Sequence, residues 1–143
     1  MQTLALVNGD LALDSSGQYM TYTGSARIRQ DLGLALSEEY GSDRFHPKWG
    51  SVIKQYLGHV ITPELQHLVR AEVNRILQNY IILGHAEILR DSQMDIQGRF
   101  DTSDVVRSVQ SLETSTRQDR ILVSVQLETQ ARESLRLRRQ VSG

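Results

Sequence analysis

The sequence has no cysteine, only two prolines and no aromatic residue after Phe100. Without cysteine there can be no disulfide framework, no thiol nucleophile and no cysteine-based zinc site. Sixteen Lys and Arg residues nearly balance 17 Asp and Glu residues, so the net charge of -1 does not favour nucleic acid. The longest purely aliphatic run, residues 81–83, is too short to cross a bilayer, and we expect no signal peptide. A chain of 143 residues is therefore expected to form one domain.

Residues that could carry catalysis or hold a metal are also sparse. The four histidines are never three or four residues apart, so no helix can present a metal-binding pair of them. Phosphate-binding glycine loops, nucleophile elbows and dinucleotide fingerprints are missing from the sequence. We therefore predict no catalytic, cofactor or metal site. The four histidines are His46, His59, His67 and His85.

One pair of carboxylates keeps an enzymatic alternative open. Asp31 and Glu38 are seven residues apart, so they share a helix face with α-carbons about 10.5 Å apart. That spacing lies near the wide limit for an inverting glycosidase. A solvated stripe of charge is the commoner reason for this pattern.

The arginines and the aromatics are unevenly distributed. The basic residues comprise 14 Arg and only two Lys, and all eight aromatics fall between Tyr19 and Phe100. Arginine suits protein interfaces because its planar guanidinium is weakly hydrated and makes several hydrogen bonds, although codon bias would also enrich it. We predict a packed body over residues 1–100 and C-terminal strands forming an arm over residues 101–143.

The first half of the body combines short strands with a helix. Turn signals at Asn8-Gly9 and at residues 14–17 predict a small N-terminal β-meander. Apolar residues at helical spacing then predict a helix with Ser25 as its N-cap and Gly41 as its left-handed end.

A loop and a long helix are predicted next. The segment from Gly41 to Gly50 fits neither period, so we expect an ordered loop held in place by Phe45 and Trp49. Thr62-Pro63-Glu64 then predicts the start of a helix, because Thr caps, Pro suits the first position and Glu favours the positive dipole end. Whether residues 81–97 continue this helix is left open by the pattern.

The C-terminal region changes to a period of two. Ile121, Val123, Val125 and Leu127 alternate with more polar residues, which predicts a half-buried strand with a weaker partner at residues 105–112. The same parity continues to residue 141, which favours one very long strand or two collinear strands. Unpaired backbone on such a strand invites pairing with another chain. The residues predicted to take part in strand addition are Ile121, Val123, Val125, Leu127, Arg132, Leu135, Arg136, Leu137 and Arg138.

A set of turn and loop residues carries a family resemblance. The run at residues 8–14 is followed in order by the motif residues Gln30, Asp31, Gly41, Pro47, Trp49 and Gly50. Their combined order and spacing resembles the baseplate wedge family of contractile phage tails, often labelled lysozyme-like. The resemblance covers residues 8–80 and, in outline, the C-terminal strands. The family's Glu-Pro-Arg triplet, which docks on the wedge scaffold, is absent, and residues 100–104 take its place.

The resemblance implies an α+β fold with a small N-terminal β-meander. It implies two to four helices packed on a β-sheet and long antiparallel C-terminal strands projecting as an arm. The implied function is structural and non-enzymatic: the protein joins the baseplate wedge to the tail sheath and templates sheath polymerisation by β-strand addition. The implied partners are the tail sheath protein and the wedge scaffold, with contact to the tail tube or hub also allowed, and neither nucleic acid nor membrane. Several symmetry-related copies would sit in the virion tail after assembly in the host cytoplasm.

Two alternatives to this function come from other classes. The first is a glycosidase acting on cell-wall polysaccharide through Asp31 and Glu38. The second is a soluble anti-adaptor-type binding module, since a bacterial protein of that kind shares the fold.

Overall fold

Two helices pack on one face of a three-stranded antiparallel sheet, and small strand pairs precede them. The structure is a computed structural model that describes residues 2–96, 98 and 100–142. The α+β class and the antiparallel C-terminal strands predicted above are confirmed. The elements are β1 (Thr3–Leu4), β2 (Leu6–Val7), β3 (Asp10–Leu11), β4 (Thr21–Tyr22), α1 (Gly24–Ser37), α2 (Pro63–Gln93), β5 (Val106–Arg117), β6 (Arg120–Thr129) and β7 (Ser134–Ser142), with 3-10 turns at Ile53–Tyr56 and Thr102–Asp104.

The N-terminal strands form two small antiparallel pairs, β1 with β4 and β2 with β3. Asn8 and Gly9 both have positive φ and make the predicted turn between β2 and β3. Gln30 of α1 holds these strands, since its Nε2 donates to the Leu4 carbonyl and its Oε1 accepts from the Leu6 N–H, both at 2.8 Å. The small N-terminal strands predicted above are therefore present as two pairs, and a side chain of the family motif attaches them to the first helix.

Both predicted ends of α1 are wrong. The helix begins at Gly24 and ends at Ser37, so Ser25 lies inside it and Gly41 lies beyond it in the following loop. The Gly24 N–H donates to Asp104 Oδ1 at 2.7 Å, so a residue 80 positions later in the chain satisfies a terminal N–H of this helix. No local signal could have predicted that partner.

The long helix α2 starts as its sequence predicts. Thr62 Oγ1 accepts from the Leu65 N–H at 3.2 Å, and Pro63 is the first helical residue. The helix continues through Gly84 to Gln93, which answers the question that the sequence pattern left open. Its 31 residues correspond to about 46 Å of helix.

The chain reverses direction after β6, where the sequence predicted that the strand would continue. β6 pairs with β7 in an antiparallel hairpin, so the expectation of one long strand or two collinear strands is wrong. Residues 130–133 form the loop, with Arg132 in the left-handed region at φ 61°. Because Leu127 pairs with Leu135 and Val125 with Leu137, odd residues face odd residues across the hairpin. The alternation therefore survives the reversal, which explains why it looked like a single strand.

The core lies between the sheet and the two helices. Odd-numbered residues of β6 point toward α1 and α2, while its even-numbered residues face the open side of the sheet, where Arg120 is exposed and the others are half-buried. β7 belongs to the same packed unit, since it contributes two side chains that are almost inaccessible to solvent. The main core residues are Ile28, Leu32, Val69, Val73, Leu77, Ile121, Val123, Val125, Leu127, Leu135 and Val141.

Candidate functional site: an open strand edge and a carboxylate-lined cavity

The outer edge of β7 has no partner strand among the residues that the structure describes. Nine consecutive pairs join β7 to β6 without a bulge, from Arg120–Ser142 to Glu128–Ser134. The Thr129 N–H donates to the Glu133 carbonyl at 3.0 Å, which sets the phase of the hydrogen-bonding pattern. Since hydrogen-bonded and non-hydrogen-bonded pairs alternate, the even-numbered residues of β7 turn their N–H and C=O groups outward.

The side chains of β7 divide between the two faces of the sheet. Arg136 and Arg138 lie exposed on the open face, opposite Gln126 and Ser124 of β6. Neither arginine makes an ion pair or hydrogen bond with another residue in the described part of the chain. Two unpaired cations therefore flank the outward-facing backbone groups of this edge.

Arg132 does not join this pair of arginines. It lies in the β6–β7 loop with positive φ, so its predicted place on the same strand face as Arg136 and Arg138 is wrong. A fourth arginine, Arg139, points to the helix side and donates to Ser37 Oγ at 2.7 Å. The exposed positive charge on the open face of β7 thus comes from two arginines and not from three.

The predicted strand-addition residues of β6 lie in the centre of the sheet. Ile121, Val123, Val125 and Leu127 are buried against the helices, and β6 is paired on both edges. An incoming strand could not pair with them. They support the sheet, whereas Leu135, Arg136, Leu137 and Arg138 form the edge itself.

The opposite edge of the sheet, β5, differs in two ways. Its register with β6 is interrupted twice, between Val106 and Ser108 and between Val109 and Ser111. Gln66 of α2 donates from Nε2 to the carbonyl and hydroxyl oxygens of Thr114, at 3.0 and 3.1 Å, so α2 engages part of that edge. Bulges and covering elements are the usual protection of an edge strand. Of the two edges, β7 is the one that is paired without a bulge and has no side chain hydrogen-bonded to its backbone among the described residues.

A cavity of about 300 Å³ opens between α1, α2 and the loop after α1. Asp31 lines it and accepts from the Tyr80 hydroxyl at 2.8 Å, with Arg27 Nε 3.5 Å away. Burial raises the pKa of Asp31, and the nearby Glu87 carboxylate adds to that rise, against the Tyr80 hydrogen bond and Arg27. Burial and the charge of Asp31 likewise raise the pKa of Tyr80.

Trp49 of the family motif and Glu38 also line this cavity. Trp49 Nε1 donates to Glu38 Oε2 at 2.6 Å, and the Gly41 N–H donates to the Trp49 carbonyl at 3.0 Å. The prediction of an ordered loop therefore holds for Trp49. Phe45, by contrast, is 88% exposed and does not hold the loop in place.

Arg75 and Glu72 fasten this loop to α2. The Val52 N–H donates to Glu72 Oε1 at 3.0 Å, and Arg75 Nη2 donates to the Gly50 carbonyl at 2.8 Å. The two side chains also form an ion pair of 2.6 Å. Although burial alone would raise the pKa of Glu72, the hydrogen bonds from Arg75 and Val52 lower it overall.

Sequence reasoning found only part of the cavity. It placed Asp31 and Glu38 on one helix face, and the structure brings both to the cavity wall, although Glu38 lies just after α1. Tyr80 and Glu87 were not identified, because they reach the cavity only through the packing of α2 on α1. The spacing of Arg27 and Asp31 at i and i+4 was the one available signal of the ion pair.

The described part of the chain contains no group of His and carboxylate side chains that could hold a metal ion. Within that same part, no helix is long and apolar enough to cross a membrane.

Comparison with known proteins adds one similarity in structure. No protein-family model matches the sequence, and no curated protein does so either. A crystal structure described as a "putative tail lysozyme" from Geobacter sulfurreducens covers 93% of this chain and 96% of its own, with a TM-score of 0.54 and 16% sequence identity. The two proteins share a fold. At 16% identity, function does not follow from the likeness.

Proposed function

We propose that this protein is a non-enzymatic structural component of a contractile phage tail baseplate, which joins the wedge to the tail sheath. In this proposal the free edge of β7 templates the first sheath strand. The sheath and wedge proteins are its partners, and several copies surround the tail tube in the virion. The name of the Geobacter sulfurreducens protein refers to a tail, and that wording agrees with the proposal.

The observation that carries the proposal is the contrast between the two sheet edges. β7 offers a continuous nine-residue edge with outward backbone groups, whereas β5 is interrupted by bulges and engaged by Gln66. Main-chain hydrogen bonds supply affinity in strand addition, and neighbouring side chains supply selectivity. An edge left open over this length in an otherwise well-packed sheet is accounted for by a strand that pairs with it in the assembly.

Strand addition is tested by blocking the backbone at the middle of this edge. We expect Arg138→Pro to reduce sheathed tails about tenfold or more, because proline removes an outward N–H and its ring obstructs an incoming strand. Arg138→Ala removes the same charge but keeps the N–H, so it is the matched control. The measurement is the fraction of sheathed tails counted by electron microscopy on particles assembled with each variant.

In-place substitution is preferable to deleting β7, because Leu135 and Val141 belong to the core. The free energies of unfolding of the two Arg138 variants should agree within about 1 kcal/mol, since the outward N–H takes no part in the β6–β7 ladder. Equal numbers of sheathed tails for the proline variant, the alanine variant and the unaltered protein would show that the edge is not the template.

The cavity favours a second candidate, hydrolysis of a cell-wall glycan. Among the carboxylates that line it, two have different surroundings: Asp31 has a raised pKa, and Glu38 is hydrogen-bonded to Trp49. Buried Nη1 of Arg27 has no hydrogen-bond partner among the described residues, which would suit an oxygen of a bound sugar. Against hydrolysis, Asp31 is already engaged by Tyr80 and Arg27.

A direct assay separates the two candidates. Because we propose a non-enzymatic role, we expect purified protein to release no more soluble glycan from peptidoglycan than the Asp31→Asn and Glu38→Gln variants do. Glycan release by the unaltered protein that both substitutions abolish would establish the glycosidase and overturn the non-enzymatic part of the proposal.

A further inference from the structure

We propose that the strand which adds to β7 carries an acidic–apolar–acidic sequence, aligned with Arg136, Leu137 and Arg138. This inference rests on the proposed function, because it names the chemistry of the partner at the same edge. If the inference is correct, the edge selects among partner strands by their sequence. The two arginines set the outer positions of the partner triplet, and the space beside Leu137 sets the middle one.

The outer positions follow from charge. Arg136 and Arg138 lie on the open face, where the residues opposite them on β6, Gln126 and Ser124, are uncharged. The carboxylate of Glu113 lies one strand further, on β5, because Glu113 pairs with the other side of Ser124. A residue of an added strand directly opposite either arginine would place its Cβ about 5 Å from the arginine Cβ. At that distance a carboxylate is favoured and a like charge is disfavoured. The two arginines are two residues apart, so the matching carboxylates are also two residues apart.

The middle position follows from shape. Leu137 points to the helix side of the sheet and is half-buried, so a residue paired with it points the same way. A mainly apolar cavity of about 130 Å³ opens there between α1 and β7, lined by Gly33, Leu36 and Leu137. A Cβ at Gly33 would meet no other atom within 4 Å, so the α1 side of the cavity is not filled. An aliphatic side chain of the partner strand fits this space.

The arginines at the rim of this cavity reinforce the pattern. Arg29 and Arg139 lie beside it, and Arg139 is fixed by its hydrogen bond to Ser37. A basic residue in the middle of the triplet would therefore meet two further positive charges. The whole edge disfavours a cationic strand, and the acidic–apolar–acidic order satisfies both faces at once.

Selection from a displayed library tests the inference without an identified partner. The full-length protein is the immobilised target, and the probe is a yeast-displayed library of nine-residue segments randomised at every position. We expect enrichment of segments with Asp or Glu at two positions flanking one aliphatic residue. A second selection on the double variant Arg136→Glu and Arg138→Glu should enrich Lys or Arg at those flanking positions. Segments from the first selection should lose about tenfold in affinity for that variant.

Three further variants make the outcome decisive. Arg117→Glu changes a charge at the other end of the open face, on β5, and should leave the enriched sequences unchanged. Gly33→Leu should weaken only the preference for an aliphatic residue at the middle position of the triplet. Enriched segments with no charge pattern, or with a pattern that the Arg136 and Arg138 reversal does not alter, overturn the inference, as does recovery of no binding segment. If binders lack the pattern but are lost on Arg138→Pro, strand addition stands and only the selectivity fails. Binders indifferent to Arg138→Pro contradict the proposed function as well.

Discussion

Replacing Gly50 by alanine is expected to lower the free energy of unfolding by about 3 kcal/mol. Gly50 has φ 92°, in the left-handed region that other residues rarely adopt. A Cβ at this position would overlap the Glu39 carbonyl and lie 2.9 Å from the Tyr40 nitrogen. Both contacts are backbone atoms, so the loop that carries Glu38 and Trp49 would have to move as a unit. Urea denaturation of the purified variant measures the loss.

Gly58 provides the matched control for this loss. Its φ is 81°, close to that of Gly50, but a Cβ there would meet no atom within 4 Å. Gly58→Ala should therefore cost only the conformational penalty, about 1 kcal/mol. If the two substitutions cost the same, the close approach of the backbone at residues 39–40 does not determine stability. The wild-type protein and both variants should share one m-value if unfolding remains two-state.

Truncating Leu127 to alanine is expected to cost about 3 kcal/mol, within the 2–5 kcal/mol range of buried leucine truncations. Leu127 is 1% exposed on β6, the central strand of the sheet, where it pairs with Leu135 of β7 and Val109 of β5. The substitution removes three side-chain carbons from a site enclosed by both neighbouring strands and the helices. Part of the loss is transfer free energy, and part comes from the cavity that remains. The measurement is again the free energy of unfolding.

Leu122→Ala is the control on the same strand. Leu122 is half-buried on the open face of the sheet, so we expect its truncation to cost less than about 1 kcal/mol. A smaller loss at Leu127 than at Leu122 would mean that the helices do not cover the face assigned to them. That result would also contradict the placement of Arg136 and Arg138 on the open face, because the register ties their orientation to that of β6.

Local chemistry was sufficient for several elements of this fold. The Thr62-Pro63 start of α2 and the turn at Asn8-Gly9 depend on residues adjacent in the chain, and both are confirmed. The start of α1 depends on Asp104, which is remote in sequence, so Ser25 was the wrong choice. The loop at residues 130–133 contains neither Gly, Pro nor Asn, so nothing in its composition indicated a left-handed position at Arg132.

In both candidate sites, some features follow from the local sequence and others from tertiary packing. The arginines at residues 136 and 138 and the alternation of the last strand could be identified from the sequence, because side-chain order along a strand is a local property. Which edge of the sheet remains open could not, because it depends on where α2 contacts β5 and on bulges in the β5–β6 register. The cavity around Asp31 likewise requires Tyr80 and Glu87 of α2, which approach α1 only after the helices pack.

The lack of cysteine in the sequence excluded disulfides, thiol chemistry and cysteine-based zinc sites. The periodicity of the apolar residues predicted helices followed by strands. Those conclusions needed only residue types and their spacing. The reversal between β6 and β7 was decided by tertiary structure, because a hairpin that pairs odd residues with odd residues has the same alternation as one continuous strand. The aromatic-free C-terminal region therefore completes the hydrophobic core, and in the described part of the chain the outer edge of β7 has no partner strand.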